Sequence, residues 1–234
     1  MAANAGEGAM RILRESPFPL EIRALLKTLC DVGFFERSLL IGSWVMPIYR
    51  ELYGVAYTLR TLDVDFAVHV AHPRMRLRAD LEQLITGIGF SSFLDAEGIQ
   101  KFSAGGYEVE FIVHRRGGRV GGVRSLEEWK LNALPLPFIS ILLEFAETAV
   151  LEGSQIRFPI PEAFFVHKLI VAARRLVAAK RLKDLEQCAA LVPVLADGKL
   201  HEVMDSQRLG KATRKSIVVS CKAIDFPLPR LSLG

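Results

Sequence analysis

The sequence predicts an α+β fold: a mixed β-sheet flanked by helices, followed by a helical C-terminal part. Three observations carry this. An apolar strand ends in Gly42-Ser43, a helical stretch follows, and a second strand over 62–70 alternates carboxylates with apolar side chains. Two strand-like runs, 100–103 and 107–113, flank Gly105-Gly106, which is a hairpin signal. After Pro161 the apolar spacing turns helical and stays so.

Each element has its own warrant. Residues 1–15 open small and polar, without the basic and apolar stretches of a signal peptide, and are expected to be a disordered tail. Leu20, Ile22, Leu25, Leu26 and Leu29 recur at helical spacing over 19–32, and Gly33 stops that helix. Residues 38–41 form a short buried strand. Ser43 then caps a helix running to about 52, with Pro47 tolerated in its first turns. Residues 53–57 lead by a loop or irregular strand into 62–70. Pro73 opens a helix whose Leu77, Leu81, Leu84, Ile85 and Ile88 share one face. Gly117-Gly118 and Gly121-Gly122 mark a flexible loop. Stretches 137–146 and 148–151 are strand-rich, and Glu152-Gly153-Ser154 turns the chain into 155–158. Helices are expected over 162–177, 180–195, 199–208 and 213–223. The boundary between an αβ domain (16–159) and a helical domain (160–234) then falls at Pro159–Pro161.

Composition narrows the class. The chain has 234 residues, 50% of them hydrophobic, enough for one sizeable domain with or without a smaller companion. A net charge of +4 fits a polyphosphate or RNA partner without requiring one. Cys30, Cys188 and Cys221 are far apart and form no CxxC pair, so neither zinc nor a disulfide framework is expected, and a reducing cytoplasm is the default. Apolar runs are broken well before membrane-spanning length. The hydropathy instead implies a well-filled core, with homo-oligomerisation through the C-terminal helices as one possible use of the excess.

Asp63 and Asp65 are two residues apart, so in a strand they face one way while Leu62, Val64 and Phe66 face the other. At roughly 7 Å, two such carboxylates repel by about 2–3 kcal/mol at an effective dielectric of ~20. A shared divalent cation relieves that cost, and hard oxygen ligands beside phosphate suit Mg²⁺. Gly42 permits close backbone approach, and the helix start at Ser43 offers N–H groups, a partial positive charge and a hydroxyl to a phosphate. A later strand, Tyr107-Glu108-Val109-Glu110-Phe111, supplies a third carboxylate: Glu110, with Glu108 on the same face as the alternative. Trp44 and Tyr49 serve either a nucleotide pocket or the core. His69-x-x-His72 lacks the spacing and context of a zinc motif. His114-Arg115-Arg116 and Arg119 belong to a solvated loop or to phosphate contacts.

These residues resemble the DNA polymerase β-like nucleotidyltransferase superfamily, whose pattern is Gly-Ser or Gly-Gly, then Asp-x-Asp, then a third acidic residue on a later strand. Arg60-Thr61 before the Asp pair is similar to the Arg-x-Thr-x-Asp-x-Asp form of bacterial stand-alone nucleotidyltransferases and AbiEii-type toxins, with Arg60 one residue closer here. The Lys168 helix followed by Arg181-Leu182-Lys183-Asp184 is similar to the Lys-helix and Arg-x-Lys-Asp of the same group. The resemblance implies transfer of a nucleoside monophosphate from an NTP to a hydroxyl of RNA (tRNA among them), protein or a small molecule, with release of pyrophosphate. It implies two Mg²⁺ ions, replaceable by Mn²⁺, held by Asp63, Asp65 and Glu110, with Glu110 also eligible as general base. Lys168 and Lys183 would reach the triphosphate, and Asp184 would orient Arg181 or Lys183. The opposing expectation is a catalytically silent nucleotide- or RNA-binding module on the same fold, against which the intact Asp-x-Asp speaks.

Overall fold

The computed structural model describes residues 11–13, 16–70, 78–115 and 122–233. In chain order its elements are β1 (Arg11–Ile12), α1 (Leu20–Asp31), β2 (Leu39–Ile41), α2 (Met46–Tyr53), β3 (Asp63–Val68), α3 (Leu81–Gly87), β4 (Ser91–Leu94), β5 (Gln100–Ala104), β6 (Tyr107–His114), β7 (Arg124–Leu126) and β8 (Leu131–Leu136). Then come α4 (Ile139–Glu144), β9 (Ala146–Leu151), β10 (Ser154–Pro159), α5 (Pro161–Ala172), α6 (Ala178–Leu191), α7 (Asp197–Ser206) and α8 (Lys211–Ala223).

The main sheet runs in the order β2-β3-β6-β5-β4. β3 and β6 are parallel, while β2 against β3, β5 against β6 and β4 against β5 are antiparallel. β8 joins the far half of β6 in parallel and carries β7 on its other edge. β1, β9 and β10 make a separate small sheet. The mixed sheet flanked by helices is the α+β architecture the sequence predicts.

Alternation along β3 and β6 sorts the two faces. Val64, Phe66 and Val68, with Val109, Phe111 and Val113, enter the main core. There Phe34 stands edge-on to Phe66, Phe111 and Trp129, and Phe66 stacks on Phe111 at 5.5 Å. The opposite face begins with carboxylates and turns apolar: Ala67 and Ile112 sit in a second cluster with Leu39, Ile41, Ile139 and Leu142. α4 therefore closes one end of that face and leaves the carboxylate end open. α5 is buried almost all round, packed against α4, α6, α7 and α8, which explains why its sequence is apolar without a polar stripe. Among the described residues no helix is long and apolar enough to cross a membrane.

Several expectations fail for identifiable reasons. Within the expected tail, Arg11 and Ile12 pair with β9 and Leu13 is buried; the rest of 1–15 except these three lies outside the described residues. Pro73 and Leu77 also lie outside them. Residues 78–80 are not helical, because the Asp80 carboxylate accepts the Gln83 N–H at 3.0 Å and so caps α3 at Leu81. Leu62 is 55% exposed rather than core, since strand pairing starts at Asp63. The stretch 137–146 contains α4: a short apolar run fits a buried helix as well as a strand, and Ile139, Ile141 and Leu142 bury one face of a helix. β4, β7 and β8 are strands the alternation did not reveal. The helix expected over 162–177 ends at Ala172, where the side chains that follow become exposed. Cys30, Cys188 and Cys221 are free.

The aromatic contact behind the site gives a first prediction. Phe111→Ala removes a fully buried ring touching Phe34, Phe66 and Phe102. It should cost about 3–5 kcal/mol in urea unfolding; a loss under 1 kcal/mol would mean that this face of β6 is not core.

Candidate active site

The register of β3, β5 and β6 builds the floor of the site. Asp63 pairs with Glu108 and Asp65 with Glu110 across β3–β6. Lys101 pairs with Glu110 across β5–β6. Adjacent strands are about 4.8 Å apart, so four carboxylates and one ammonium share a small patch of one sheet face. A cleft of about 420 Å³ opens above it. Ile112, Leu134 and Leu136 extend the floor, and Lys168, Arg175, Lys180 and Lys183 stand on the helical wall.

The carboxylates are electrostatically uneven. Burial, and then the neighbouring Glu110, push the Asp65 carboxyl up to about 6, against the pull of Lys168. Burial also raises Glu110, although Lys101 opposes the rise. The Lys101 ammonium lies 2.6 Å from Glu108 and 3.4 Å from Glu110. Among the described residues Asp63 and Asp65 make no ion pair within 4 Å. No group of three or more His, Cys, Asp or Glu among the described residues forms a ready-made metal centre. The donor chemistry nonetheless fits a hard divalent cation at Asp63 and Asp65: two same-face carboxylates with no ion pair among the described residues, one of them with its carboxyl raised by burial, which a bound cation would offset.

The helical wall differs from expectation at Asp184. Its buried carboxylate accepts from Lys168 Nζ at 2.5 Å and from Arg175 Nε at 3.0 Å, not from Arg181 or Lys183. Asp184 lies on the inward face of α6 with Gln187, Cys188 and Leu191, and Lys183, one residue earlier, is turned about a quarter of the way round the helix. Burial alone would raise Asp184, but Lys168 and then Arg175 outweigh it and hold the carboxyl below the usual range. Lys183 forms no ion pair among the described residues, and burial followed by Lys168 lowers its ammonium.

Gly42 and Ser43 form a short 3₁₀ turn, Gly42–Val45, before α2, and no side-chain hydrogen bond caps either segment. The Ser43 hydroxyl is buried and accepts from Gln187 Nε2 at 2.8 Å, which is why it does not cap. Gly42 has φ +67, and any Cβ there would overlap the Asp65 carboxylate. Thr61 Oγ1 accepts the Asp63 N–H at 3.2 Å and so fixes the start of β3. Arg60 is exposed and stands outside the lining of the cleft. Trp44 and Tyr49 are core: Trp44 packs on Phe18 and Tyr107, and the Tyr49 hydroxyl donates to Pro159 O at 2.7 Å. His69 is exposed; His72, Arg116 and Arg119 lie outside the described residues.

Lys101 and Gln187 are among the site residues that escaped the sequence reading, as are Arg175 and Lys180 on the helical wall. Lys101 was legible in principle: a two-residue turn at Gly105-Gly106 sets Ala104 opposite Tyr107 and therefore Lys101 opposite Glu110. Gln187 carried no local signal, because its bond to Ser43 spans 144 positions.

A nucleotidyltransferase family model matches residues 21–209, a span that contains every candidate residue above. The chain belongs to this nucleotidyltransferase family. No curated protein matches it. An antigenic nucleotidyltransferase-like protein from Paracoccidioides brasiliensis has a similar structure, with a TM-score of 0.54 at 15% identity over 92% of both chains; that likeness shows the fold. The antibiotic-resistance factor ANT(2'')-Ia superposes with a TM-score of 0.45 at 13% identity, over 87% of this chain and 94% of that one. As a member of the family, the nucleotidyltransferase is an enzyme that transfers a nucleoside monophosphate.

Two substitutions probe its wall and floor. Asp184→Ala strands the buried Lys168 ammonium and should cost about 3–5 kcal/mol of stability; a smaller change than from a surface carboxylate would show the pair to be dispensable. Gly42→Ala forces a left-handed backbone on a residue with a Cβ, which costs about 1–2 kcal/mol, and displaces Asp65. Nucleotide affinity should fall with it, as calorimetry would record; unchanged affinity would separate Gly42 from the site.

Proposed function

We propose that this nucleotidyltransferase is Mg²⁺-dependent and transfers a nucleoside monophosphate from an NTP to a hydroxyl of an anionic acceptor, an RNA such as tRNA, releasing pyrophosphate. The observation that carries the reading is the in-register carboxylate patch facing a basic wall across one cleft. Asp63 and Asp65 are the proposed ligands of the ion that accompanies the nucleotide, with Glu110 as the third carboxylate. When bound, Mg²⁺ neutralises charge on the α-phosphate and on the departing pyrophosphate; Mn²⁺ should substitute.

The chain's own residues have the remaining tasks. The acceptor oxygen bonds to the α-phosphorus, the bond to the β-phosphate oxygen breaks, and the acceptor proton passes to Glu110. Burial raises the Glu110 carboxyl toward the range useful for a base. Lys183, which has no ion pair among the described residues, is free to meet the triphosphate. Lys168 adds a second positive charge whose position Asp184 fixes. The turn at Gly42-Ser43 remains the proposed phosphate side of the site. Arg60 and Thr61 approach β3 from outside, Thr61 through its bond to Asp63.

The acceptor class is supported by the rim. Residues 174–182 are exposed without interruption and carry Arg174, Arg175, Lys180 and Arg181 with no acid, beside the fully exposed Leu176. Such a rim favours a polyanion and disfavours a cationic small molecule. The Arg60-Thr61 likeness to toxin-type members points the same way.

Incubation with each α-³²P-labelled NTP, Mg²⁺, tRNA and cell extract tests the reading. Label is expected in RNA and not in protein, and chelation of the metal should abolish it. Asp63→Asn and Asp65→Asn should each lower transfer at least 100-fold (about 2.7 kcal/mol) with the fold retained. Full turnover in the double variant would place the active site elsewhere. Arg181→Gln, at an exposed position outside the lining of the cleft, should weaken RNA labelling while leaving NTP affinity unchanged; equal labelling would remove the rim from acceptor binding.

A further inference from the structure

Lys101 stands opposite Glu110 in the β5–β6 register, on the face that carries the carboxylates. Its ammonium is 2.6 Å from Glu108 Oε1 and 3.4 Å from Glu110 Oε1. The side chain is 20% exposed, so it acts at close range with little screening by salt. Asp65, Glu110 and Lys101 therefore form one row across β3, β6 and β5. A divalent ion shared by Asp65 and Glu110 would sit between β3 and β6, one strand from that ammonium. It would have to draw Glu110 away from Lys101 and would be repelled by it. Asp63 and Asp65 face no such competitor: no cation lies within ion-pair distance of either among the described residues. The shorter contact is to Glu108, so Glu108 anchors the ammonium while Glu110 shares it.

We propose that Lys101 is a positioning residue that takes the place of a second metal ion. Its ammonium supplies the positive charge at Glu110, so the enzyme works with one divalent ion, held by Asp63 and Asp65 together with the nucleotide. This rests on the metal-dependent reading above. It divides the two glutamates by role: Glu108 holds Lys101, and Glu110 is oriented by it beside Asp65.

The test counts metal rather than turnover. Mn²⁺ bound per chain is measured by electron paramagnetic resonance on the full-length protein, saturated with a non-hydrolysable NTP analogue. Wild type is expected to bind one Mn²⁺, Lys101→Met two and Lys101→Arg one. Adding Glu110→Gln to Lys101→Met should return the count to one. Two ions in wild type overturn the proposal, whatever the variants do and whether or not they fold. A count of one in both wild type and a folded Lys101→Met also overturns it, because the ammonium then excludes nothing. No Mn²⁺ in wild type overturns the metal reading, and the role of Lys101 with it; that result is distinct from one ion or two.

Discussion

Repulsion between carboxylates on neighbouring strands is the constraint around which this protein is arranged. β3 and β6 run parallel and in a register that sets Asp63 beside Glu108 and Asp65 beside Glu110. At the ~4.8 Å spacing of strands, each such pair repels by about 3 kcal/mol at an effective dielectric of ~20. A one-residue slip would relieve the repulsion. If β3 slipped, it would also turn Val64, Phe66 and Val68 out of the core, at about 1.5–3 kcal/mol for each side chain. The apolar face therefore holds the charged face together. The site's strain is sustained by the aromatic packing behind it.

That residual charge also gives the helical part its role. α5 brings Lys168 and α6 brings Asp184, and Arg175 follows from the segment between them. Asp184 neutralises part of the positive charge that burial would otherwise make costly, and in doing so locks α5 to α6. Gln187, one turn further along α6, donates to Ser43 in the turn that abuts Asp65. The helical wall and the strand floor are thus joined by hydrogen bonds as well as by apolar packing, and a shift of α6 would be felt at the turn beside Asp65.

The sequence made the strand floor legible because its logic is local. Period-two alternation set the faces of Asp63, Asp65 and Glu110, and the Gly105-Gly106 turn marked the hairpin. The same turn contained the register that places Lys101, since a two-residue connection leaves little freedom in pairing. What stayed hidden was non-local or degenerate. Ser43 read as a helix cap because Ser before a helix usually is one; its hydroxyl is instead taken by a residue 144 positions away. Asp184 read as a partner for its neighbours on the same helix, but burial selected partners from the facing element. α4 was misread because six apolar-rich residues satisfy either period.

The split between local and non-local features follows the division of labour in the site. The four carboxylates of the cleft floor sit on strands, where adjacent positions alternate and spacing in sequence is spacing in space. Residues that set the charge and position of those groups arrive from other elements: Lys101 from β5, Lys168 and Asp184 from the helices. A motif therefore identifies where the carboxylates are, and tertiary contacts decide how much of their charge remains available. Here Lys101 forms ion pairs with Glu108 and Glu110, while among the described residues Asp63 and Asp65 have none within 4 Å, an asymmetry that no spacing within β3 or β6 alone encodes.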